Sequence, residues 1–441
     1  MASTGLSKTF SSSPTNNKKG TMSFWMKKSA VSSGQQAGLL VAGASGGTAG
    51  LYFDGDGKLY WYLAYTGSWQ GSYTTNRQFR DPNSWYHIVQ SWDTTQSTES
   101  ERMKLYVNGV QETSFSSISY PPQNQVTTFG NATAHYINYW GNASYFDGSM
   151  SHFHYTDGYA YAASDFGSFD STTGEWKINT NPSVTYGTNG FWILKDGMSL
   201  TDASPNSNDW AVSTGTLTKT EDNPSNVFAT WNPLMIPGSM NYINGNTSIR
   251  PQANSVDFQG ASTLAFSSGK WYVEFKYLEN DGHQMFGIST TKGCAENKRN
   301  DEYVGETASG VSMYGSNGNI YENNSTTSYG SGWGNNSIIM MAVDADNNKI
   351  YFGNNGTWYN SGNPSTGTNG YSYNATNLAG FKYIVSSNGG VGYDNVDANF
   401  GNGYFGTTAI SSEGTNASGL GKFEYDVPTG FTALCTKGLN L

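Results

Sequence analysis

Residues 50–63 read GLYFDGDGKLYWYL: two short apolar runs separated by Asp-Gly-Asp-Gly. Each run partly alternates and ends at Gly or Asp, which is how strands read. Asp56-Gly57 marks a tight hairpin turn between them. The same pattern continues upstream in TMSFWMKKS (21–29) and AGLLVAG (37–43). Downstream come SWYHIVQSWD (84–93), a polar loop TTQSTESER, the strand MKLYVNG (103–109), and a strand pair in YFDGSMSHFHYTDGY (145–159). The rhythm is that of a β-sandwich. A single helical turn is expected at AYAASDFG (160–167), capped by Ser164.

Residues 171–254 are less regular, with FWILKDG (191–197) as one strand. Pro233, Pro237 and Pro251 punctuate a connection in which Leu234, Met235 and Ile236 suggest packing. A second strand series opens with STLAFSSGKWYVEFKYL (262–278). It runs on through HQMFGIS, GVSMYG, NSIIMMAVDADNNKIYFGNNGTWYN (336–360), YIVSSN, VDANFG and GFTALC. The expected organisation is residues 1–170 as one sandwich, 171–254 as an irregular join, and 255–441 as another sandwich.

Composition supports an all-β chain. Of 441 residues, 15% are aromatic, only 13% are charged and 54 are glycine. The polar surface must then come from Asn, Ser, Thr and Gly, which favour turns over helices. So many aromatics also exclude disorder. A net charge of −10 disfavours a nucleic-acid partner. No apolar run reaches the length of a membrane helix, and the first twenty residues lack the apolar core of a signal peptide. Two cysteines, Cys294 and Cys435, provide no disulfide framework.

Two family resemblances rest on these strands. SFWMKKS, LYFDGDGKLYW, WYHIVQSWDTT, KLYVNG and FDGSMSHFHYTDG resemble, in order, the strands of the laminin G-like (concanavalin A-type) jelly roll. GKWYVEF, FGIS, IIMMAVDADNNKIYFGNNGTW, VDANFGNGYF and PTGFTAL resemble a SPRY domain. Between them, SDFGSFDSTTGEWKI, TNGFWI and FATWNPL resemble the segment joining these modules in structural proteins of marine tailed phages. That resemblance implies a virion component assembled in the host cytoplasm, with other virion proteins as partners. A homo-oligomer is expected because weak sites gain by avidity, and a trimer is the hypothesis that the usual symmetry of such appendages motivates.

Catalytic motifs are weak on context. Gly401–Gly406 fits G-x-G-x-x-G, but turns follow it where a helix is needed. Gly43–Gly47 fits G-x-S-x-G without the helix of a nucleophile elbow. Asp344, Asp346 and Asn348 start like an EF-hand loop, yet Lys349 stands where Gly is required. His152 and His154 alternate on one strand and could share a metal with Asp147 or Asp157. A glycan hydrolase needs paired carboxyls, and neither Glu274 with Glu279 nor Asp54 with Asp56 offers them on one strand. No cofactor is implied. Calcium is left open, with Asp54, Asp56 and Asp147 as oxygen donors, as the laminin G-like resemblance suggests.

The binding candidates are aromatics expected in loops: Trp69 and Tyr73 in TGSWQGSYTTN, and Tyr303, Tyr314, Tyr321, Tyr329 and Trp333 among Asn, Ser and Gly. Such rings stack on sugars or serve adaptable protein recognition. The expected function is a non-enzymatic, lectin-like adhesin or tail-fibre component reading a host-surface glycan or protein. A capsid or tail decoration protein is the alternative, with an intracellular SPRY-type interaction protein and a glycan hydrolase more remote.

Overall fold

The computed structural model describes residues 4–29, 37–43, 49–65, 68–138, 145–195, 197, 199–235, 240–251, 258–278, 282–300, 302–389 and 395–440. The chain divides into two compact units, 1–219 and 220–441. Each is a β-sandwich whose strands pair antiparallel, except that Thr432–Ala433 runs parallel to Trp271–Tyr272 in the second unit.

In the first unit the hairpin that opened the sequence reading forms as expected. Asp54 Oδ1 accepts from the backbone N–H of Asp56 (3.0 Å) and Lys58 (2.9 Å), and Gly57 takes a positive φ of 77°. Alternation then sorts the flanking strands Ala49–Phe53 and Lys58–Tyr65. Leu51, Phe53, Leu59, Trp61 and Leu63 enter the core between the sheets. Tyr52, Tyr60 and Tyr62 cluster on the opposite face. The two strands lie within a sheet of eight among the described residues, bounded by Phe115–Ser119 and Ala211–Thr214; the facing sheet has six, with Lys19–Lys28 paired to Trp85–Asp93 near its centre. Aromatic rings fill the gap: Phe129 lies 5.1 Å from Trp61 and 5.4 Å from Trp92, and Phe24 stacks on Phe153 at 4.7 Å. Each such side chain removed from water contributes about 1.5–3 kcal/mol.

The stretch 171–254, expected as a separate join, is instead shared between the units. Phe191–Ile193 pairs with Phe153–Tyr155 and widens the six-stranded sheet, while Ala211–Thr214 pairs with Gly5–Ser7 at the edge of the other. The hairpin Gly167–Phe169/Trp176–Ile178 folds back so that Trp176 Nε1–H donates to His87 Nδ1 at 2.9 Å. Gly109 makes room for this ring, since a Cβ there would sit 2.2 Å from Trp176 Cε3. The helical turn near 160–167 is a 3-10 turn at Ala163–Asp165. Its cap is Asp165, whose carboxylate accepts from Ala162 N–H (2.9 Å), and not Ser164.

In the second unit Met240–Ile243 and Ser248–Pro251 pair with each other and join the larger sheet through Val396–Asp397. Lys270–Tyr277 runs between Val396–Asn399 and Ile338–Asp344. The facing sheet has the order Phe258–Phe266, Lys382–Asn388, Gln284–Thr290, Gly310–Tyr314, Asn319–Glu322, Ser325–Ser328. Phe275 and Phe286 stack across the core at 4.1 Å. A helix that the sequence reading missed, Thr291–Asn300, follows Gln284–Thr290. Thr290 Oγ1 caps it by accepting from Gly293 N–H at 3.1 Å. Cys294 and Cys435 are both buried free thiols.

Both units bring the two ends of their chain together. Thr4 Oγ1–H donates to Thr216 C=O (2.7 Å) beside the Gly5–Thr214 pair. In the second unit Thr436 N–H donates to Val227 C=O and Ala229 N–H to Leu434 C=O, both at 2.9 Å.

Candidate binding site

The first unit corrects several expectations. Tyr73 is not in a loop: it lies on the strand Ser68–Gln78, opposite Trp61. It is 1% exposed, and its hydroxyl donates to Gln90 Oε1 inside the core. No face of this ring is open to a ligand. Trp69 belongs to the same strand, paired with Ala64, and its side chain lies outside the described residues.

Of the three calcium candidates, Asp54 and Asp147 act on one cation that the chain already carries. Lys28 is 4% exposed, with its ammonium 5.0 Å from the Phe53 ring centroid and no hydrogen-bond partner. Burial pulls its pKa down, while the charges of Asp54 and Asp147 hold it up. Asp56 is exposed on the hairpin turn.

His152 and His154 both lie beside Trp192, at 6.3 and 4.8 Å between ring centroids. A register shift between Ser151 and His154, with φ of 49° at His152, interrupts the strand there. His154 Nδ1 lies 2.9 Å from the Tyr186 hydroxyl. Of the carboxylates expected to complete a metal set, Asp157 is engaged elsewhere: it accepts from the N–H groups of Thr15 (2.7 Å) and Asn189 (3.0 Å).

The remaining motifs resolve into turns. Asn399 Oδ1 accepts from Gly401 N–H and Gly403 N–H, both at 3.0 Å, and the hairpin Tyr404–Phe405/Thr408–Ala409 follows. Asp344 accepts from Asn347 N–H and pairs with Lys270 at 3.1 Å. Residues 44–47 of the G-x-S-x-G string and Glu279 lie outside the described residues. Glu274 is fully buried. It accepts from Glu424 N–H and Tyr425 N–H (2.8 Å each), Tyr272 O–H (3.0 Å) and Asn399 Nδ2–H (3.2 Å). Burial pushes its pKa up to about 7 against the pull of those donors. This carboxylate anchors residues 424–425 to the sheet.

In the second unit the tyrosine candidates converge. Met313 and Ile320 point into the core from paired strands, so Tyr314 and Tyr321 emerge on the other face. Tyr321 sits opposite Ser312 and thus diagonal to Tyr314, within reach for large rings. Their centroids are 5.7 Å apart and edge-on; Tyr303 meets Tyr321 at 5.7 Å in the same way. His283 extends the row, its Nδ1 2.6 Å from the Tyr314 hydroxyl and its ring roughly parallel. Asn317 Nδ2–H donates to Tyr321 Oη at 3.3 Å. All three tyrosines are half-buried, with polar edges and apolar faces.

His283 and Asn317 escaped the sequence reading. The available signal was the Asn317-Gly318 turn, which places tyrosines on its two strands on one face. Trp333 does not join them: it is 6% exposed and stacks on Phe286 at 5.9 Å within the core. Tyr329 is likewise buried, its hydroxyl donating to Asn369 C=O at 3.3 Å.

With this geometry in place, comparison with known proteins is informative. Residues 3–165 match the model of the concanavalin A-like lectin/glucanases superfamily, of laminin G type, and residues 270–363 match the SPRY domain. The chain carries a laminin G-like domain followed by a SPRY domain. The strands Lys382–Asn388 and Val396–Asn399, beyond the matched stretch, complete the SPRY sandwich. Among solved structures, the SPRY domain of human HERC1 is 16% identical, with 38% of this chain and 96% of that one covered, at a TM-score of 0.30. The TRIM65 PSpry domain is 13% identical, with 39% and 91% covered, at a TM-score of 0.29. No curated protein matches the chain. Both domain types suit a binding or adhesin-like role.

Proposed function

We propose that this protein is a non-enzymatic, lectin-like adhesin whose SPRY domain reads a surface glycan through the row Tyr303–Tyr321–Tyr314–His283. The observation that carries this reading is the convergence of three half-buried tyrosines on one sheet face. Half-buried rings are already held in place by their neighbours, so binding costs little further side-chain entropy. Their faces suit the apolar sides of pyranose rings, and Asn317 and the tyrosine hydroxyls supply hydrogen bonds at the edges.

The test is binding of the purified full chain to a panel of bacterial surface polysaccharides. Saturable binding that falls about tenfold in Tyr314→Ala and Tyr321→Ala supports the reading. Binding that ignores both substitutions, or that appears only with proteins, removes it.

The setting proposed for this activity is the virion of a tailed phage, in a tail fibre or spike. The support is the resemblance of the 164–178, 188–193 and 228–234 segments to those of phage structural proteins. An antibody against residues 255–441, viewed on particles by electron microscopy, tests it. Label at the tail fits the adhesin, a regular pattern over the head fits decoration, and unlabelled particles exclude both. The trimeric state proposed with it predicts three times the chain mass in light scattering.

A further inference from the structure

We propose that the tyrosine row takes an uncharged, linear polysaccharide laid across neighbouring strands and running off the sheet at its edge. This inference rests on the glycan reading above and names its substrate class. The row crosses the sheet and does not follow one strand. His283 stands two residues before Met285, which pairs with Tyr314. Tyr321 pairs with Ser312, two residues before Tyr314, and directly opposite Tyr321 on the next strand is Thr326. From His283 to Thr326 the row covers three strand spacings, about 14 Å, which is longer than one sugar ring.

The end at Thr326 is open. Its strand, Ser325–Ser328, is the outermost of its sheet among the described residues, and all four residues are exposed. A pocket for a single terminal sugar would be walled at this end, whereas a chain lying on the row passes over the edge. The hydroxyls of Thr326 and of Ser328, opposite Asn319, add hydrogen-bonding groups along that path.

The charge around the row selects against an acidic ligand. From residue 302 to residue 348 the sequence contains no Lys, Arg or His, while Glu302, Glu306 and Glu322 lie within that stretch. Glu302 precedes Tyr303, and Glu306 N–H donates to Tyr303 C=O at 3.3 Å. Lys292, Lys298 and Arg299 belong to the helix whose Gly293 packs against Ser289 and Ser309. Ser289 pairs with Gly310, at the end of these strands remote from the Met285–Tyr314 pair. His283 is engaged with the Tyr314 hydroxyl at 2.6 Å. A carboxylated or sulfated sugar on the row would thus meet like charge with no lysine or arginine to offset it. Tyrosine hydroxyls, Asn317 and Thr326 suit the hydroxyls of a neutral one.

The experiment divides the panel of bacterial surface polysaccharides into uncharged and acidic members and measures binding to the full chain at low salt, where attraction for an acidic polymer would be strongest. Uncharged members should bind and acidic ones should not. Fragments cut from a bound polymer should tighten with length up to about three sugars, the span of the row, and then level off. Thr326→Lys, at an exposed position, should improve binding of acidic members about fivefold, the scale of one exposed ion pair. Tight binding of an acidic member that weakens when its carboxyls are reduced to alcohols overturns the inference. So does a single sugar that competes as well as the polymer, or a Thr326→Lys variant that gains nothing. Any of these with binding still lost in Tyr314→Ala and Tyr321→Ala leaves the glycan reading standing. Binding indifferent to both of those substitutions, or no binding at all, removes the two together.

Discussion

The ionisable side chains sunk deepest in the laminin G-like sandwich include three histidines, whereas the SPRY sandwich holds the carboxylate of Glu274. His87 accepts from Trp176 Nε1–H on one ring nitrogen and lies 2.9 Å from Ser23 Oγ on the other. His135 accepts from Gly130 N–H at Nε2. Each keeps one nitrogen as an acceptor, so protonation would set N–H against N–H. Burial accordingly brings His87 down to about 3 and His135 to about 4, and His154 falls with them. Glu274 is the reverse case. Four donors converge on it, yet burial still lifts it to about 7. One sandwich has buried groups that must stay neutral, and the other a group easier to bury when protonated. Acid should therefore act on the two in opposite senses.

The largest expected effect separates core from surface tyrosines. Tyr73→Ala should cost the first unit roughly 3–5 kcal/mol through the cavity it leaves, read by peptide-resolved hydrogen exchange in guanidinium. Faster exchange confined to residues 1–219 is the expected pattern; an unaffected first unit would return Tyr73 to the binding candidates. Next comes Glu274→Gln, which turns an amide N–H toward donors and should cost the second unit about 1–3 kcal/mol through the donors left unpaired.

The pH response follows. Below pH 6.5 the unfolded state takes up protons that His87 and His135 refuse when folded. The first unit then loses about 1.4 kcal/mol per pH unit for each histidine, until their folded values near 3 and 4 are reached. Glu274 gives the opposite sign: its contribution is fully present below about 4.5 and lost as pH rises through 7. Lowering pH from 7 to 4.5 should thus loosen residues 1–219 and tighten 220–441 in hydrogen exchange. Both units moving the same way would break the comparison. The smallest stability effect is Tyr314→Ala, below about 1 kcal/mol for a half-buried ring, although polysaccharide binding falls with it.

Strands with alternating bulky residues were legible because alternation fixes both the pleat and the face. Residues 50–63 needed nothing more. The helix Thr291–Asn300 was hidden because, among the described side chains of TKGCAENKRN, only Gly293, Cys294 and Asn297 are buried, which leaves no apolar stripe to read. Tyr73 was misplaced because Gly71, Ser72 and Thr74 look like a loop. Gly71 is small because a Cβ there would come within 2.8 Å of Pro121, a close approach that local sequence does not announce. Tyr303, Tyr314 and Tyr321 were recognised as candidates, but their meeting depends on strand register and on the returning turn at 302–306. Trp333 resembled them in sequence and differs only in pointing inward. The domain boundary moved for a similar reason, since the short strands Phe191–Ile193 and Ala211–Thr214 gain stability only from the sheet edges they complete.

The closure of each unit on its own ends has a mechanical consequence. A pull applied to the chain on both sides of the laminin G-like domain reaches Thr4 and Thr216, which are already in contact. Gly5 and Thr214 lie antiparallel at that same end, so the force peels this seam one hydrogen bond at a time and does not shear the sheets. In the SPRY domain it reaches the seam between Val227–Ala229 and Leu434–Thr436, which has the same antiparallel sense. Tension carried along the chain would pass both aromatic cores by, and each sandwich would hang beside the line of force as a pendant that yields first at its clasp.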